Sequence, residues 1–396
     1  MDRILALVSR LRIDRRELAG GLGDAGLFVP IAIALVTVNG LNATAVFGMG
    51  GAAYLATAAY FRVPVPVQPL KAFAAAALAL KLEAPVIAAG ALLMSAAMAM
   101  LGATGLADWI ASRFPLVLVR GIQASVALLL AKASVELAER GNWKGLPAVS
   151  RPVGLAVAAG ACLLLFALRG RRAPGTLLVL GGGAIAGVAI SGGLPDVGYG
   201  PQSVGLSLPD AAAFGTALTT LVLAQLPLTF GNSVVATADA ERSYFGHRAA
   251  RVTQNRLATS IAGANLLAGL THGLPLCHGA GGVTAHVRQG ARRARATASV
   301  GALDVLLALV VGASLPPVMK LLLPGALAGM LLYVAIQHGL LAARLESAQD
   351  RVIAAGVGLV TLLSGNLAIG FGAGVLALVA RSLAARLAGR PATATG

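Results

Sequence analysis

The chain has 396 residues, 57% hydrophobic and 12% charged, with a net charge of +16 and a mean hydropathy of +0.83. Soluble domains carry about 25% charged residues, so a water-soluble fold is excluded and an integral membrane protein is indicated. The positive charge does not indicate nucleic-acid binding. It sits in short connectors beside apolar runs, such as RGRR at 169–172 and RQGARRAR at 288–295, which is the positive-inside pattern.

The first twenty residues, MDRILALVSRLRIDRRELAG, have an apolar core of about five residues, too short for a signal peptide. They read as a basic amphipathic segment on the inner membrane surface. Glycine and proline punctuation then predicts spans near 23–40, 43–61, 64–80, 84–102, 115–137, 152–168, 175–192, 211–237, 257–272, 274–288, 297–313, 316–341, 352–366 and 367–386. That is about 14 spans at roughly 20 residues each, or about 12 if two short segments do not cross fully.

With the N-terminus inside, the inner connectors collect Arg62, Arg113, the 169–172 cluster, Arg242, Arg248, Arg251, Arg256, the 288–295 cluster, Arg344, Arg351, Arg386 and Arg390. The outer connectors at 39–43, 193–210, 272–274, 313–316 and 365–367 hold no Lys or Arg. The segment 138–151 and Lys81 are exceptions. The alternation places both termini in the cytoplasm. A bacterial inner membrane is the expected location.

Residues 63–73, VPVPVQPLKAF, place alternating Val and Pro before a strong helix former. Proline removes a donor, clashes with the preceding helical turn, and pushes its predecessor to extended backbone. The segment therefore reads as a strand-like approach, about 16 Å over five residues, that delivers a half-helix to mid-membrane. THGLPLCHGAGGVTAHVRQ at 271–289 repeats the layout in the opposite direction, half a chain later. A second pair at a similar separation is GLGDAGLFVPIAIAL at 21–35 and AQLPLTFGNSVVATA at 224–238. Two features repeated at one offset imply two inverted halves of seven spans, and paired interrupted segments point to a transporter site. The expected organisation is an N-terminal cytoplasmic segment 1–20, repeats 21–192 and 211–388 joined by a linker 193–210, and a cytoplasmic tail 389–396.

Two facing helix N-termini expose unpaired N–H groups and partial positive charge, which suits an anion. Lys71 adds a full charge, Gly279, Gly281 and Gly282 permit close backbone approach, and Gln68, Thr229, Asn232, Ser233 and His278 supply neutral donors. A tetrahedral oxyanion matches this set.

GDAGLFVPIAIALVTVNGL, VPVQPLKAFAA, QLPLTFGNSV and PLCHGAGGVTAHVRQGAR resemble the four signature blocks of the molybdate transporter family related to the SulP sulfate permeases. The combination of PVQPxK with CHGAGG carries the resemblance, and the hydrophobic layout extends it over most of the chain. Phe230 and Gly231 stand where the family pattern has more threonine. The resemblance implies an all-α polytopic membrane protein with the SulP-like seven-plus-seven inverted repeat, shared with uracil permeases. It also implies a core domain and a gate domain, and uptake of an oxyanion, molybdate first and sulfate second. SulP proteins usually carry a soluble C-terminal STAS domain; this chain stops soon after Arg390, so none is expected.

The expected substrate-binding residues are Gln68, Lys71, Thr229, Asn232, Ser233, His278, Gly279, Ala280, Gly281 and Gly282, with Asp24 the coupling candidate. Each has a plainer reading. Lys71 could snorkel, His278 could cap its half-helix, Asp24 could cap the first span, and Asn232 and Ser233 could bond neighbouring helices. Asp304 reads as an interhelical hydrogen-bonding group, and Glu136, Glu139 and Asp108 as solvated ends.

No enzyme, cofactor or metal is expected. Cys162 and Cys277 form no CxxC or zinc pattern and read as apolar fillers. His247, His272, His278, His286 and His338 form no HExxH, and no P-loop is present. The expected partners are the oxyanion, a coupling proton or cation, and membrane lipid. No nucleic acid is expected, and a homodimer is compatible with the sequence. An anion channel is the weaker reading, since paired broken helices suit alternating access.

Overall fold

The computed structural model describes residues 17, 20–22, 25–111, 115–139, 149–168, 175–288, 290–319, 321–343 and 345–387. Asp24, most of the segment 1–20, Arg113, the 169–172 cluster and the tail 389–396 lie outside these residues.

The first half contains α1 (Ala25–Asn39), α2 (Ala43–Phe61), a short strand β1 (Gln68–Pro69), α3 (Lys71–Leu80), α4 (Ala84–Thr104), α5 (Leu106–Ala111), α6 (Leu116–Glu139), α7 (Arg151–Ala167) and α8 (Gly175–Ser191). The second half opens with the long helix α9 (Ala211–Ala249). It continues with α10 (Gln254–Thr271), β2 (Leu276–Cys277), α11 (Ala280–Arg288), α12 (Arg295–Val311), α13 (Leu315–Met319), α14 (Pro324–Ala342), α15 (Ala348–Ser364) and α16 (Leu367–Leu387). Four helices among the described residues are long and apolar enough to cross a membrane by themselves: Ala84–Thr104, Leu116–Glu139, Ala211–Ala249 and the run Arg295–Met319. Leu163, Ile185, Leu363 and Leu376 are each more than two-thirds exposed, an apolar belt that only lipid would cover.

The packing is paired, as an inverted repeat requires. α4 lies along α10, and α2 lies along α12. Likewise α6 packs on α15 and α7 on α14, while α6 and α14 pack on each other. The protein is an all-α polytopic membrane protein with a seven-plus-seven inverted repeat. One bundle gathers α1–α4 and α9–α12, and the other gathers α6–α8 and α14–α16. Small residues set these approaches. A methyl group on Gly51 would lie 2.6 Å from the Gly301 carbonyl, and one on Gly329 would lie 2.4 Å from that of Ala158.

Two elements differ from the sequence expectation. The predicted span 316–341 is interrupted: α13 stops at Met319 and α14 restarts at Pro324. Pro316 and Pro317 suit a first helical turn and Pro324 a new one. The predicted span 211–237 continues well past its expected end, and within α9 the segments Leu218–Val222 and Thr229–Val235 are π-helical. Pro227 in the intervening turn lacks an N–H, so the ladder there is redistributed, as in other π-bulges.

The linker 193–210 crosses one pole of the first bundle. Gly200 N–H donates to the Val310 carbonyl at 2.8 Å, and Ser207 N–H to that of Leu270 at 3.1 Å. Gln202 Oε1 accepts from Ala43 N–H at 2.9 Å. Arginines collect at the other pole, where Arg248 bonds the Arg292 carbonyl and Arg251 that of Tyr60.

Candidate functional site

The two broken segments meet in the middle of the first bundle. Residues 64–70 and 273–279 have extended or irregular backbone, and each leads into a short helix, α3 or α11. β1 and β2 pair antiparallel, Gln68 with Cys277 and Pro69 with Leu276. The same offset, 209 positions, separates Gln68 from Cys277 and Lys71 from Ala280. A residue that pairs with its own repeat mate lies on the two-fold axis, so the axis passes between the two half-helix starts.

The crossing is held by buried side chains. Asn265 on α10 accepts from Leu276 N–H at 3.1 Å and donates to the Leu276 carbonyl at 2.6 Å. Leu70 N–H donates to the Pro275 carbonyl at 3.0 Å. His278 lies 2.8 Å from the Pro66 carbonyl through Nδ1 and 3.1 Å from Ser260 Oγ through Nε2. A carbonyl only accepts, so Nδ1 carries the hydrogen and Nε2 accepts from the Ser260 hydroxyl. Cys277, read from sequence as a filler, directs its thiol to the Pro69 carbonyl at 3.4 Å.

Lys71 opens α3 and is buried. Its ammonium donates to Gln68 Oε1, and no carboxylate among the described residues forms an ion pair with it. A methyl group on Gly279 would lie 2.3 Å from Gln68 Oε1 and 3.4 Å from Lys71 Nζ, and one on Gly282 would lie 2.4 Å from Gln68 Nε2. Glycine at both positions is therefore what lets Gln68 and Lys71 lie against the start of α11. Gly281, by contrast, faces open space. Phe73 N–H is taken by Gln225 Oε1 at 2.9 Å, and Gln225 donates onward to Thr229 Oγ1 at 2.9 Å. The N–H groups of Lys71, Ala72, Ala280 and Gly281 open their helices and cannot be bonded within them. Two partial positive ends and one ammonium thus converge in a space bounded by flexible glycine backbone.

The expected residues divide into two groups. Gln68, Lys71, His278 and Gly279–Gly282 lie together at the crossing. Thr229 reaches it through Gln225. Asn232 is half-buried and Ser233 buried on the π-helical segment of α9, and among the described residues neither side chain is bonded to α3 or α11. Asp304 is buried on α12 with Oδ2 unpartnered among the described residues, so the interhelical hydrogen bond expected of it is not formed. Glu139 pairs with Arg151 at 2.6 Å and Glu136 with Lys132 at 4.0 Å, as surface ends do.

Sequence reasoning missed Gln225, Ser260, Asn265 and His338. Gln225 and Asn265 act on backbone groups, the Phe73 N–H and the N–H and carbonyl of Leu276, and Ser260 acts through the His278 side chain. His338 lies on α14 in the second bundle, buried, with Nδ1 unpartnered among the described residues.

Residues 16–130 and 217–338 match the family model described as "Molybdate transporter of MFS superfamily". Two Arabidopsis thaliana proteins are similar over nearly the whole chain. Molybdate transporter 2 is 26% identical, covering 93% of this chain and 88% of its own length. Molybdate transporter 1 is 28% identical, covering 92% and 87%. Among solved structures, the transmembrane domain of the cyanobacterial bicarbonate transporter BicA superposes with a TM-score of 0.65 at 17% identity, over 91% of this chain and 97% of that one. The murine Solute Carrier 26 family member A9 anion transporter, in its inward-facing state, superposes with a TM-score of 0.64 at 15% identity, over 96% and 71%.

Proposed function

The chain belongs to the molybdate transporter family, and from that membership and the site geometry we propose that it is a secondary active transporter of a tetrahedral oxyanion, molybdate first. The anion binds between the N-termini of α3 and α11. The observation that carries this reading is the convergence of two half-helix starts on one buried ammonium, Lys71, that has no carboxylate counter-ion among the described residues. A neutral substrate would leave that charge uncompensated, whereas a dianion compensates it.

Gly281 and the N–H groups of Ala280 and Gly281 form one wall for the anion, and Lys71 with Gln68 forms the other. Gln225 and Thr229 position the first turn of α3, and His278 holds the extended approach to it. Asn232 and Ser233, on the π-helical segment of α9, are further candidate contacts for the substrate. Alternating access moves the first bundle against the second, a geometry that suits paired broken helices. The basic pole faces the cytoplasm and the linker pole the far side, with both termini inside a bacterial inner membrane. A proton or cation drives uptake.

The test is uptake of labelled molybdate by vesicles containing only this protein, with sulfate as competitor. Saturable molybdate uptake that excess sulfate reduces only weakly is expected. Uptake of sulfate in preference to molybdate would make the chain a sulfate permease of the same fold, and a conductance without saturation would make it a channel.

A further inference from the structure

The two half-helices of the crossing end in the same way. At the end of α3, Lys81 N–H donates to the Leu78 carbonyl at 3.2 Å, and Leu82 N–H to that of Ala77 at 3.0 Å. At the end of α11, Gly290 N–H donates to the Val287 carbonyl at 3.2 Å, and Ala291 N–H to that of His286 at 2.9 Å. Each of these residues stands at the repeat offset from its mate, and Lys81 and Gly290 both have positive φ, +51° and +109°. A side chain from the helix that opens each repeat then holds the end. Asn39 Nδ2, on α1, donates to the carbonyls of Ala77 and Leu82 at 2.9 and 2.7 Å. Its repeat mate Arg248, on α9, donates to the Arg292 carbonyl at 2.9 Å.

Glu17 breaks this symmetry. Its Oε2 accepts from the N–H groups of both Arg292 and Arg293, at 3.0 and 3.1 Å, and the residue is 5% exposed. Among the described residues it forms no ion pair, although the side chains of Arg292 and Arg293 are exposed. Two adjacent backbone donors on one oxygen fix the path of the chain, which a surface ion pair would not. A methyl group on Gly20 would lie 2.2 Å from the Ala291 nitrogen, and one on Gly21 would lie 2.4 Å from the Ala296 carbonyl. The chain before α1 therefore lies flush on the turn between α11 and α12. α1 itself packs along β1 and α3. One helix thus grips both half-helices by their outer ends, α3 at the linker pole through Asn39 and α11 at the arginine pole through Glu17 at its root.

We propose that α1 sets the gap between the two half-helix starts, and that Glu17 is a positioning residue through which the site selects its anion by size. This rests on the anion reading of the site. α3 and α11 have ten and nine residues, so each is a rod of about 15 Å or less, too short to be stable by itself. Fixing the outer end of such a rod fixes where its N-terminus lies. A gap held at the width of the larger molybdate penalises sulfate, which cannot touch both helix starts at once. A released gap adjusts to either anion, at the cost of ordering the half-helix when the anion binds.

The experiment is calorimetric titration of molybdate, and separately of sulfate, into the purified full-length protein. Glu17→Ala is expected to raise the Kd for molybdate about tenfold and to leave that for sulfate within about threefold, so the preference for molybdate narrows by about threefold or more. Glu17→Gln keeps a neutral acceptor, roughly half as strong as the carboxylate, and is expected to fall between Glu17→Ala and wild type. Asn39→Leu releases α3 at the opposite pole and is expected to narrow the preference as well. An equal loss for both anions in Glu17→Ala, the mark of a contact that only stabilises the fold, would overturn the proposal. Selective binding by wild type with an unchanged ratio in the variants would overturn it too, while leaving the transporter reading intact. Failure of wild type to bind either anion would overturn both. If Glu17→Ala does not fold, Gly20→Ala decides, since its methyl group lifts the same segment off the turn; a narrowed preference is expected there, and an unchanged one overturns the proposal.

Discussion

Replacing Lys71 by methionine removes the charge and keeps the length. A carbon on Gly279 would lie 3.4 Å from Lys71 Nζ. An oxyanion in contact with the ammonium through one of its oxygens has its centre about 5 Å from it. At an effective dielectric of about 20, a unit charge and a dianion at that distance attract by roughly 6–7 kcal/mol. Desolvation of both groups cancels much of this, leaving a net loss of about 2–4 kcal/mol on removal, the range seen when one partner of a buried pair is deleted. That corresponds to roughly 30- to 1,000-fold in Kd. Folding should survive, because Lys71 is buried with a neutral amide, Gln68, as its hydrogen-bond partner, and an apolar chain of similar volume loses no ion pair. Lys71→Arg should recover only part of the affinity, since the guanidinium is wider and its charge more spread. The assay is molybdate binding to purified variant protein whose thermal midpoint matches wild type. A Kd within about threefold of wild type would refute the reasoning, since even a modest ion pair exceeds that.

Gly279→Ala puts a carbon 2.3 Å from Gln68 Oε1, so Gln68 is displaced and its bond to Lys71 lost; anion affinity is expected to fall by about tenfold or more, the equivalent of one charge-assisted hydrogen bond, with thermal stability little changed. Asn265→Leu strands the N–H and carbonyl of Leu276, which costs about 2–4 kcal/mol at one to two kcal/mol per buried group, read as a lowered thermal midpoint with or without anion. For sidedness, a cysteine at Leu206, which is 75% exposed on the linker, should react with an impermeant thiol reagent from outside intact cells, and one at Arg248 only after the inner face is opened; the reverse pattern would invert the proposed orientation.

The broken segments were legible in sequence because their cause is local. Val-Pro alternation and the glycines after His278 dictate backbone geometry wherever they occur; the expected extended segments 63–67 and 272–277 fall within a residue or so of the start of the observed stretches 64–70 and 273–279, although His272 itself is left-handed. The repeat was legible for the same reason, since the breaks recur at one offset. The interruption at 321–323 is not legible because Leu321–Leu323 read as a continuous apolar run, and the flanking prolines also suit a helix start. The roles of Gln225 and Asn265 were not legible. An amide on an apolar helix looks the same in sequence whether it holds a remote backbone or bonds its own helix. Asp304 shows the converse, an ordinary intramembrane acid by sequence whose expected bond the fold does not supply.

The linker has a mechanical consequence. Among the described residues, the bonds it makes at its pole go to the first bundle: to the start of α2 through Asn42, Ala43 and Thr44, to the end of α12 and the turn after it through Val310, Ala313 and Ser314, and to the end of α10 through Leu270 and His272. Its junction with the second bundle is Gly192–Gly193, where Gly192 has φ +77° and neither residue would touch a neighbour if it carried a methyl group. Under the proposed alternating access, the strap would travel with the first bundle. Sliding one bundle past the other would then cost it no hydrogen bond, and the required bending would be confined to two glycines that resist it least.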